Sequence, residues 1–267
     1  MNADARIERT LPRQTTQLDP SLALFAELIG LFQMHRGASL AALGGVESLH
    51  KHAASLYPQI DTLIAKISDQ AIQTDPMQWT LITGEWENTR RYWRQDNALS
   101  NFEIHNFLIE QCHRMLWRYV ESQASPSHKD IEEFLFRDIP SHIEGLGQLR
   151  GLSSYASTQS SEPTIVNSCN PRVTQLSKQA HLTLVETQRQ LIKLAEREER
   201  TRLMPVLQAR IRLTGQFLQC VQDQLTPRTK PIPQPEKIFH LGTLAIEANQ
   251  EIWAGLAASR YKPFTQN

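Results

Sequence analysis

Cysteine, net charge and long apolar runs are all scarce in this sequence, and each shortage excludes a class of protein. The three cysteines, Cys112, Cys169 and Cys220, form no CxxC pair and no disulfide framework, which favours a reducing compartment. The 28 basic residues are balanced by 28 acidic ones, so no overall field attracts nucleic acid or an anionic membrane. Because no signal peptide or run of about 18 apolar residues is found, we expect a cytoplasmic protein with no membrane partner.

Catalytic motifs are missing as well. GxSxG, HExxH, GxGxxG and the P-loop do not occur. Two Glu-x-x-His pairs of the kind used by helical di-iron enzymes do occur, Glu47 with His50 and Glu110 with His113. Each of these carboxylates is expected to point away from the apolar face of its helix. We therefore expect a protein that is not an enzyme and that holds no cofactor and no metal ion.

Apolar residues recur at helical spacing along most of the chain, and the alternation typical of strands is absent. The predicted fold class is all-α, an up-down helical bundle in which two four-helix bundles pack together. The expected helices begin near residues 20, 46, 76, 101, 129, 172, 203 and 236. Pro58 should kink the second helix or restart it, and Pro140 should bend the fifth.

The predicted organisation is one helical domain over residues 20–260, with approximate halves 20–125 and 127–260. Residues 1–19 form a loose N-terminal segment, and residues 261–267 form a tail. Residues 157–172, rich in Ser, Thr, Asn and Pro, are the clearest predicted loop, and the proline-rich stretch 226–235 is a predicted linker.

An Arg-Gly-x-Ser motif occurs twice, each time on the apolar face of a predicted helix. A guanidinium stays charged inside a protein, so it needs an anion and hydrogen-bond acceptors there. The glycine permits close approach of a neighbouring helix or ligand, and the serine lies one turn further along the same face. The candidate ligand-binding residues are Arg36, Arg150, Gly37, Gly151, Ser39 and Ser153.

Two interpretations of this repeat remain open. If Arg36 and Arg150 face each other across a bundle, a small planar anion could accept hydrogen bonds from both, and binding would draw their helices together. Such a protein would be a sensor. Alternatively, each arginine pairs with an interior carboxylate, for which Glu27, Glu103 and Glu144 are available. The protein would then be a non-sensing helical interaction or scaffold protein.

The two arginine segments resemble parts of a known family. Residues 28–39, LIGLFQMHRGAS, resemble the opening helix of the NIT family, the nitrate- and nitrite-sensing domains of bacterial receptors and antiterminators. Residues 143–153, IEGLGQLRGLS, are similar to a second helix of such sensor regions. The resemblance implies an all-helical domain of two four-helix bundles in which Arg36 and Arg150 bind nitrate or nitrite.

The resemblance also bears on partners. No kinase, cyclase, chemoreceptor or RNA-binding output follows the helices, so signal transduction is expected to pass through a separate, unidentified output protein. The long helix predicted over residues 172–202 could pair in a homodimer, although its charges suit a solvated face equally well.

A third interpretation concerns the helix around residues 86–94, where aromatic and basic residues alternate. Such interleaving is found in proteins that bind single-stranded nucleic acid, and it would indicate an RNA-associated regulator. The competing interpretation places Trp86 and Trp93 in the core and the arginines in solvent. The absence of net charge favours the second, so we expect no nucleic-acid partner.

Overall fold

The computed structural model describes residues 19–123, 129–194, 197–225 and 234–260. Within these ranges the protein is all-helical and has no strand, as predicted. A 3-10 turn, Trp93–Gln95, follows α4, and a π-helical turn, Phe134–Asp138, links α6 to α7. The helices are α1 Pro20–Leu43, α2 Ser48–Ser55, α3 Tyr57–Thr74, α4 Pro76–Tyr92, α5 Ala98–Gln123, α6 Lys129–Glu133, α7 Ile139–Thr158, α8 Pro163–Leu194, α9 Arg197–Leu225 and α10 Pro235–Arg260.

Two Asp-Pro pairs start helices where the sequence predicts them. The Asp19 carboxylate accepts hydrogen bonds from the backbone N–H groups of Ser21 and Leu22, at 2.9 and 3.3 Å. Asp75 accepts from the N–H of Gln78 at 3.0 Å in the same way. The prolines that follow suit a first helical turn, where no N–H has an intrahelical partner. At the other end of α1, Gly45 adopts a φ of 98°, which ends the helix.

The second helix restarts at Pro58, which is one of the two outcomes expected for that proline. Helix α2 ends at Ser55, and Pro58 lies in the first turn of α3, where its missing N–H has no intrahelical partner to lose. The predicted loop 157–172 is wrong: α7 continues to Thr158, and α8 already begins at Pro163. Its polar residues lie mostly on the outer face of α8, while Cys169 and Val173 are buried and fix that turn to the core.

Other expected boundaries are displaced by a few residues. The irregular turn lies at Phe134–Asp138, just before α7, and Pro140 itself stands in the first turn of α7. The helix predicted from residue 203 begins at Arg197. Residues 1–18 and 261–267, and the linker residues 226–233, lie outside the described residues.

The helices pack as two sets. In the first set, α1 and α4 each contact both α3 and α5, and in the second set α7 and α9 each contact both α8 and α10. Contacts between α1 and α7 join the sets, so each Arg-Gly-x-Ser helix lies at the junction. One buried apolar cluster, containing Leu28, Phe32, Leu146 and Phe217, extends through both sets. Burial of this kind is the main favourable contribution to folding.

A membrane-spanning segment would need a helix that is both long and strongly apolar. Across the described ranges, no helix combines these two properties.

Candidate anion-binding site

Arg36 lies in the middle of α1 and is 1% exposed. Its guanidinium forms a bidentate ion pair with Glu144 of α7. The pair consists of a short Nη1–Oε1 contact and an Nη2–Oε2 hydrogen bond of 3.2 Å. The same Nη1 donates to the side-chain oxygen of Asn106 in α5 at 2.6 Å. Paired geometry of this kind is the strongest that a guanidinium makes with a carboxylate. Arg36 is therefore compensated by the protein itself.

Glu144 is held from two further directions. The amide of Gln33 donates to Oε2 at 2.8 Å, and the amide of Gln148 donates to Oε1 at 3.0 Å. Burial raises the pKa of Glu144, but the charge and hydrogen bonds of Arg36 outweigh it and leave the pKa below its usual value. The carboxylate is therefore ionised, and the buried Arg36–Glu144 pair carries no net charge.

Arg150, the second arginine, has a different environment. It is 8% exposed, its Nη1 donates to the hydroxyl of Thr243 in α10 at 2.9 Å, and its buried Nε has no hydrogen-bond partner. The guanidinium carbon lies 4.8 Å from the centroid of the Phe239 ring. Among the residues that the structure describes, no carboxylate lies within ion-pair distance of Arg150.

The electrostatics of Arg150 follow from this environment. Burial, and secondarily the positive charge of Arg36, lowers the pKa of Arg150 to about 10. The guanidinium still carries its charge at neutral pH. Arg150 is thus a buried cation, with Glu144 and Glu247 contributing opposing charge only at longer range.

Glycines allow the helices to come together around the two arginines. A methyl group on Gly147 of α7 would lie 2.8 Å from Nη2 of Arg36, and one on Gly37 of α1 would lie 3.9 Å from Nη2 of Arg150. A methyl group on Gly242 of α10 would lie 2.7 Å from Cγ of Arg150. At Gly242 the methyl group would meet the inner carbons of the Arg150 side chain, so glycine is required there. At Gly147 it would press on the tip of the Arg36 side chain, which the ion pair with Glu144 holds in place.

The remaining predicted site residues lie nearby but have other partners. The hydroxyl of Ser39 donates to the side-chain oxygen of Asn101 at 2.7 Å, and that of Ser153 donates to the carbonyl of Leu149 in its own helix at 2.5 Å. A methyl group on Gly151 would face Leu40, 3.5 Å away. The structure thus brings Arg36, Arg150 and Gly37 together, and a ligand role for the two serines stays a prediction.

His35, which precedes the first arginine, belongs to a buried histidine pair. Its ring stacks on that of His105 with centroids 4.9 Å apart, and its Nδ1 lies 2.6 Å from Nε2 of His105. Burial, as the largest cause, lowers the pKa of His35 to about 2 and that of His105 to about 4. Because Nδ1 of His105 donates to the carbonyl of Asn101 at 2.7 Å, its Nε2 must accept from His35. Both rings are neutral core residues.

A small cavity of about 50 Å³ lies beside this polar network. It is lined by Gln33 of α1 and His113 of α5, together with Ile143 of α7 and Trp253 of α10. This volume is of the order of one or two water molecules. Neither Arg36 nor Arg150 is among the residues that line it.

The two tryptophans of the aromatic-basic helix are buried, whereas Tyr92 is about half exposed. Trp86 and Trp93 are 2% and 1% exposed. Arg90 pairs with Asp61 and Glu87 at 2.7 and 2.8 Å. A surface that stacks nucleic-acid bases needs exposed rings and uncompensated arginines.

No group of three or more potential metal ligands is found among the described residues.

Most partners of the two arginines are not apparent from the sequence. Gln33, one turn before Arg36 on the same apolar face, is a signal that could have been read from helical spacing. Asn106, Thr243 and Phe239 lie on other helices, so no local pattern indicates them. The same is true of Arg210, a third buried arginine, which has no Arg-Gly motif.

No protein-family model, no curated protein and no solved structure matches this chain. The geometry of the buried arginines is therefore the basis on which a function can be argued.

Proposed function

We propose that this protein is a helical sensor domain that binds a small oxyanion, nitrate or nitrite, and transmits the signal to a separate output protein. The observation that carries the proposal is Arg150, a buried guanidinium with no carboxylate partner, lying beside Arg36 at the junction of the two helix sets. In this proposal the two sets are two four-helix bundles, and the resemblance of residues 28–39 and 143–153 to NIT helices supports the choice of ligand.

Electrostatic compensation supports an anion at Arg150. An uncompensated buried charge is strongly unfavourable, and each charge-assisted hydrogen bond to it contributes about 1.5–3 kcal/mol. A planar oxyanion offers acceptors that match the planar guanidinium. The charge of Arg36 would add to the attraction, but its pairing with Glu144 cancels most of it. Glu144 thus competes inside the protein with the proposed ligand.

A signal would follow from the helices that carry these groups. Arg36 lies on α1, Arg150 on α7, and the Thr243 partner of Arg150 on α10. An anion that binds one packing of these helices more tightly than another shifts the population of the two packings. The junction between the bundles is then the element that changes when the ligand binds.

Nitrate titration tests the proposal. We expect sodium nitrate to raise the Tm of the wild-type protein above the value in sodium gluconate at the same ionic strength. Arg150→Met should reduce the rise, whereas Arg114→Met, which removes a half-exposed arginine of α5, should retain it in full. Isothermal titration of Glu144→Gln should show tighter nitrate binding, because the competing charge is removed. Equal Tm values in nitrate, nitrite and gluconate would contradict the proposal.

The second candidate function is a non-sensing helical scaffold. The closed Arg36–Glu144 pair favours it, because a neutral buried pair needs no ligand. On this alternative Arg150 is only a packing residue, and nitrate changes the Tm of Arg150→Met by as much as that of the wild type. The same titration therefore separates the two functions.

A further inference from the structure

A third buried arginine lies away from the Arg36–Glu144 pair. Arg210 of α9 is 1% exposed, and its Nε donates to the side-chain oxygen of Asn249 in α10. Its two terminal nitrogens, Nη1 and Nη2, are buried and have no hydrogen-bond partner. These nitrogens carry most of the hydrogen-bond donors of a guanidinium, so the greater part of this group is unsatisfied.

Asn249 fixes the orientation of Arg210. The amide nitrogen of Asn249 donates to the carbonyl of Ala245 at 2.7 Å and to the hydroxyl of Thr214 at 3.3 Å. With its nitrogen used in this way, Asn249 can only present its oxygen to Arg210. The guanidinium is therefore held in place from its Nε side, while its other side is left without an acceptor.

His142 of α7 lies on the side of the second helix set opposite Arg210 of α9. Helices α7 and α9 each pack on both α8 and α10, so they face each other through the middle of that set. His142 is 4% exposed, and its Nε2 is buried without a partner. Burial and then the charge of Arg210 lower the pKa of His142 to about 3. The imidazole is neutral and, with its proton on Nε2, is a hydrogen-bond donor.

The positive charge of Arg210 has no carboxylate partner among the described residues. Burial lowers the pKa of Arg210 to about 10, which leaves the guanidinium charged at neutral pH. In the described part of the chain, no carboxylate forms an ion pair with Arg210. Buried charges in proteins are normally paired, so a buried cation with unsatisfied donors favours an anion as its binding partner.

We propose that Arg210 and His142 bind a small monovalent anion, between chloride and nitrate in size, inside the second helix set. One formal positive charge, from Arg210 alone, matches one negative charge. The enclosure of the guanidinium limits the size, and the unsatisfied nitrogens of both residues supply the hydrogen bonds. His142 also lines a groove of about 910 Å³ between α7 and α8, whereas Arg210 is not among the residues that line it. This site is independent of the oxyanion site proposed at Arg150.

Chloride is the first probe. We expect the Tm of the wild-type protein to be several degrees higher in sodium chloride than in sodium gluconate at equal ionic strength, because gluconate is too large to enter. Arg210→Met should remove this difference, and its Tm in gluconate should equal or exceed that of the wild type, since a buried unpaired charge is replaced by an apolar side chain. Arg150→Met should keep the chloride effect.

Bromide locates the ion without any mutation. Crystals of the wild-type protein grown in sodium bromide should show an anomalous peak within hydrogen-bond distance of the Arg210 guanidinium. An ordered water there, with no anomalous signal, would overturn the proposal even if Arg210→Met failed to fold. A chloride effect that persists in Arg210→Met and disappears in Arg150→Met would overturn it as well, and would assign the anion to the other site.

Discussion

The α1 and α7 copies of the Arg-Gly-x-Ser motif place their arginines in opposite environments. Arg36 of α1 has a carboxylate and an amide oxygen within reach, while Arg150 of α7 has only the hydroxyl of Thr243 and the Phe239 ring. Both side chains are buried, so exposure does not explain the difference. What differs is the set of partners contributed by the surrounding helices. The same motif can thus give a structural ion pair in one place and a buried cation without a carboxylate partner in another.

This comparison also assigns different roles to the two arginines. A neutral buried pair contributes to holding α1 and α7 together, and breaking it should destabilise the protein. An open cation contributes little to stability and can respond to a ligand.

Removing Glu144 should give the largest loss. Glu144→Ala leaves Arg36 buried without its counter-charge, which should lower the free energy of unfolding by about 3–5 kcal/mol in urea denaturation. The control is Glu110→Ala, which removes a half-exposed partner of Arg114. This variant should change the free energy of unfolding by no more than about 0.5 kcal/mol. Similar losses in the two variants would show that the Arg36–Glu144 pair does not stabilise the packing of α1 against α7.

The buried histidines should make stability depend on pH. The folded-state pKa values of His105 and His142, about 4 and about 3, lie below the ordinary value of 6.5, so below pH 6.5 the unfolded chain binds more protons than the folded one. Stability is therefore full above pH 6.5 and should fall as the pH is lowered towards 4, by up to about 1.4 kcal/mol per pH unit for each histidine.

Urea denaturation between pH 7.5 and 4.5 measures this dependence. His142→Gln should make the profile less steep, because one group that protonates only on unfolding is removed. A slope that is the same in wild type and variant would contradict the burial of His142.

Two neighbouring glycines of α7 provide a test of packing around Arg36. Gly147→Ala places a methyl group 2.8 Å from the Arg36 guanidinium and should destabilise the protein by about 1–3 kcal/mol. Gly145→Ala has nothing within 4 Å of the new methyl group and should stabilise by up to about 1 kcal/mol through helix propensity. Thermal denaturation of the pair should therefore give shifts of opposite sign. Shifts of the same sign would show that α1 and α7 are less closely packed at Arg36.

Replacement of Arg150 should have the smallest effect. In a buffer without small anions, Arg150→Met should lie within about 1 kcal/mol of the wild type or be more stable, because no ion pair is lost. Arg36→Met, in contrast, leaves Glu144 unpaired and should be clearly destabilised. If Arg150→Met loses as much stability as Arg36→Met in chemical denaturation, the two arginines contribute equally to stability. The difference between an ion-paired and an unpaired arginine would then be contradicted.

Local features of the sequence predicted much of the fold. Asp19-Pro20 and Asp75-Pro76 start helices where expected, and the glycines after Leu43 end α1, because capping depends on residues within one turn. The loop predicted over 157–172 failed because Ser, Thr and Asn also occupy the exposed face of a helix. There the burial of Cys169 and Val173 outweighed local preference.

The sequence by itself determined the all-helical class and the positions of the two motif arginines on apolar faces, since periodicity is a property of neighbouring residues. It named Glu144 as one of several available carboxylates, but it could not choose among them. Only the tertiary structure decided that Glu144 neutralises Arg36, that Arg150 remains open and that Arg210 is a third buried cation. The physical reason is that charge compensation depends on distances between side chains far apart in the chain, and those distances exist only once the helices have packed.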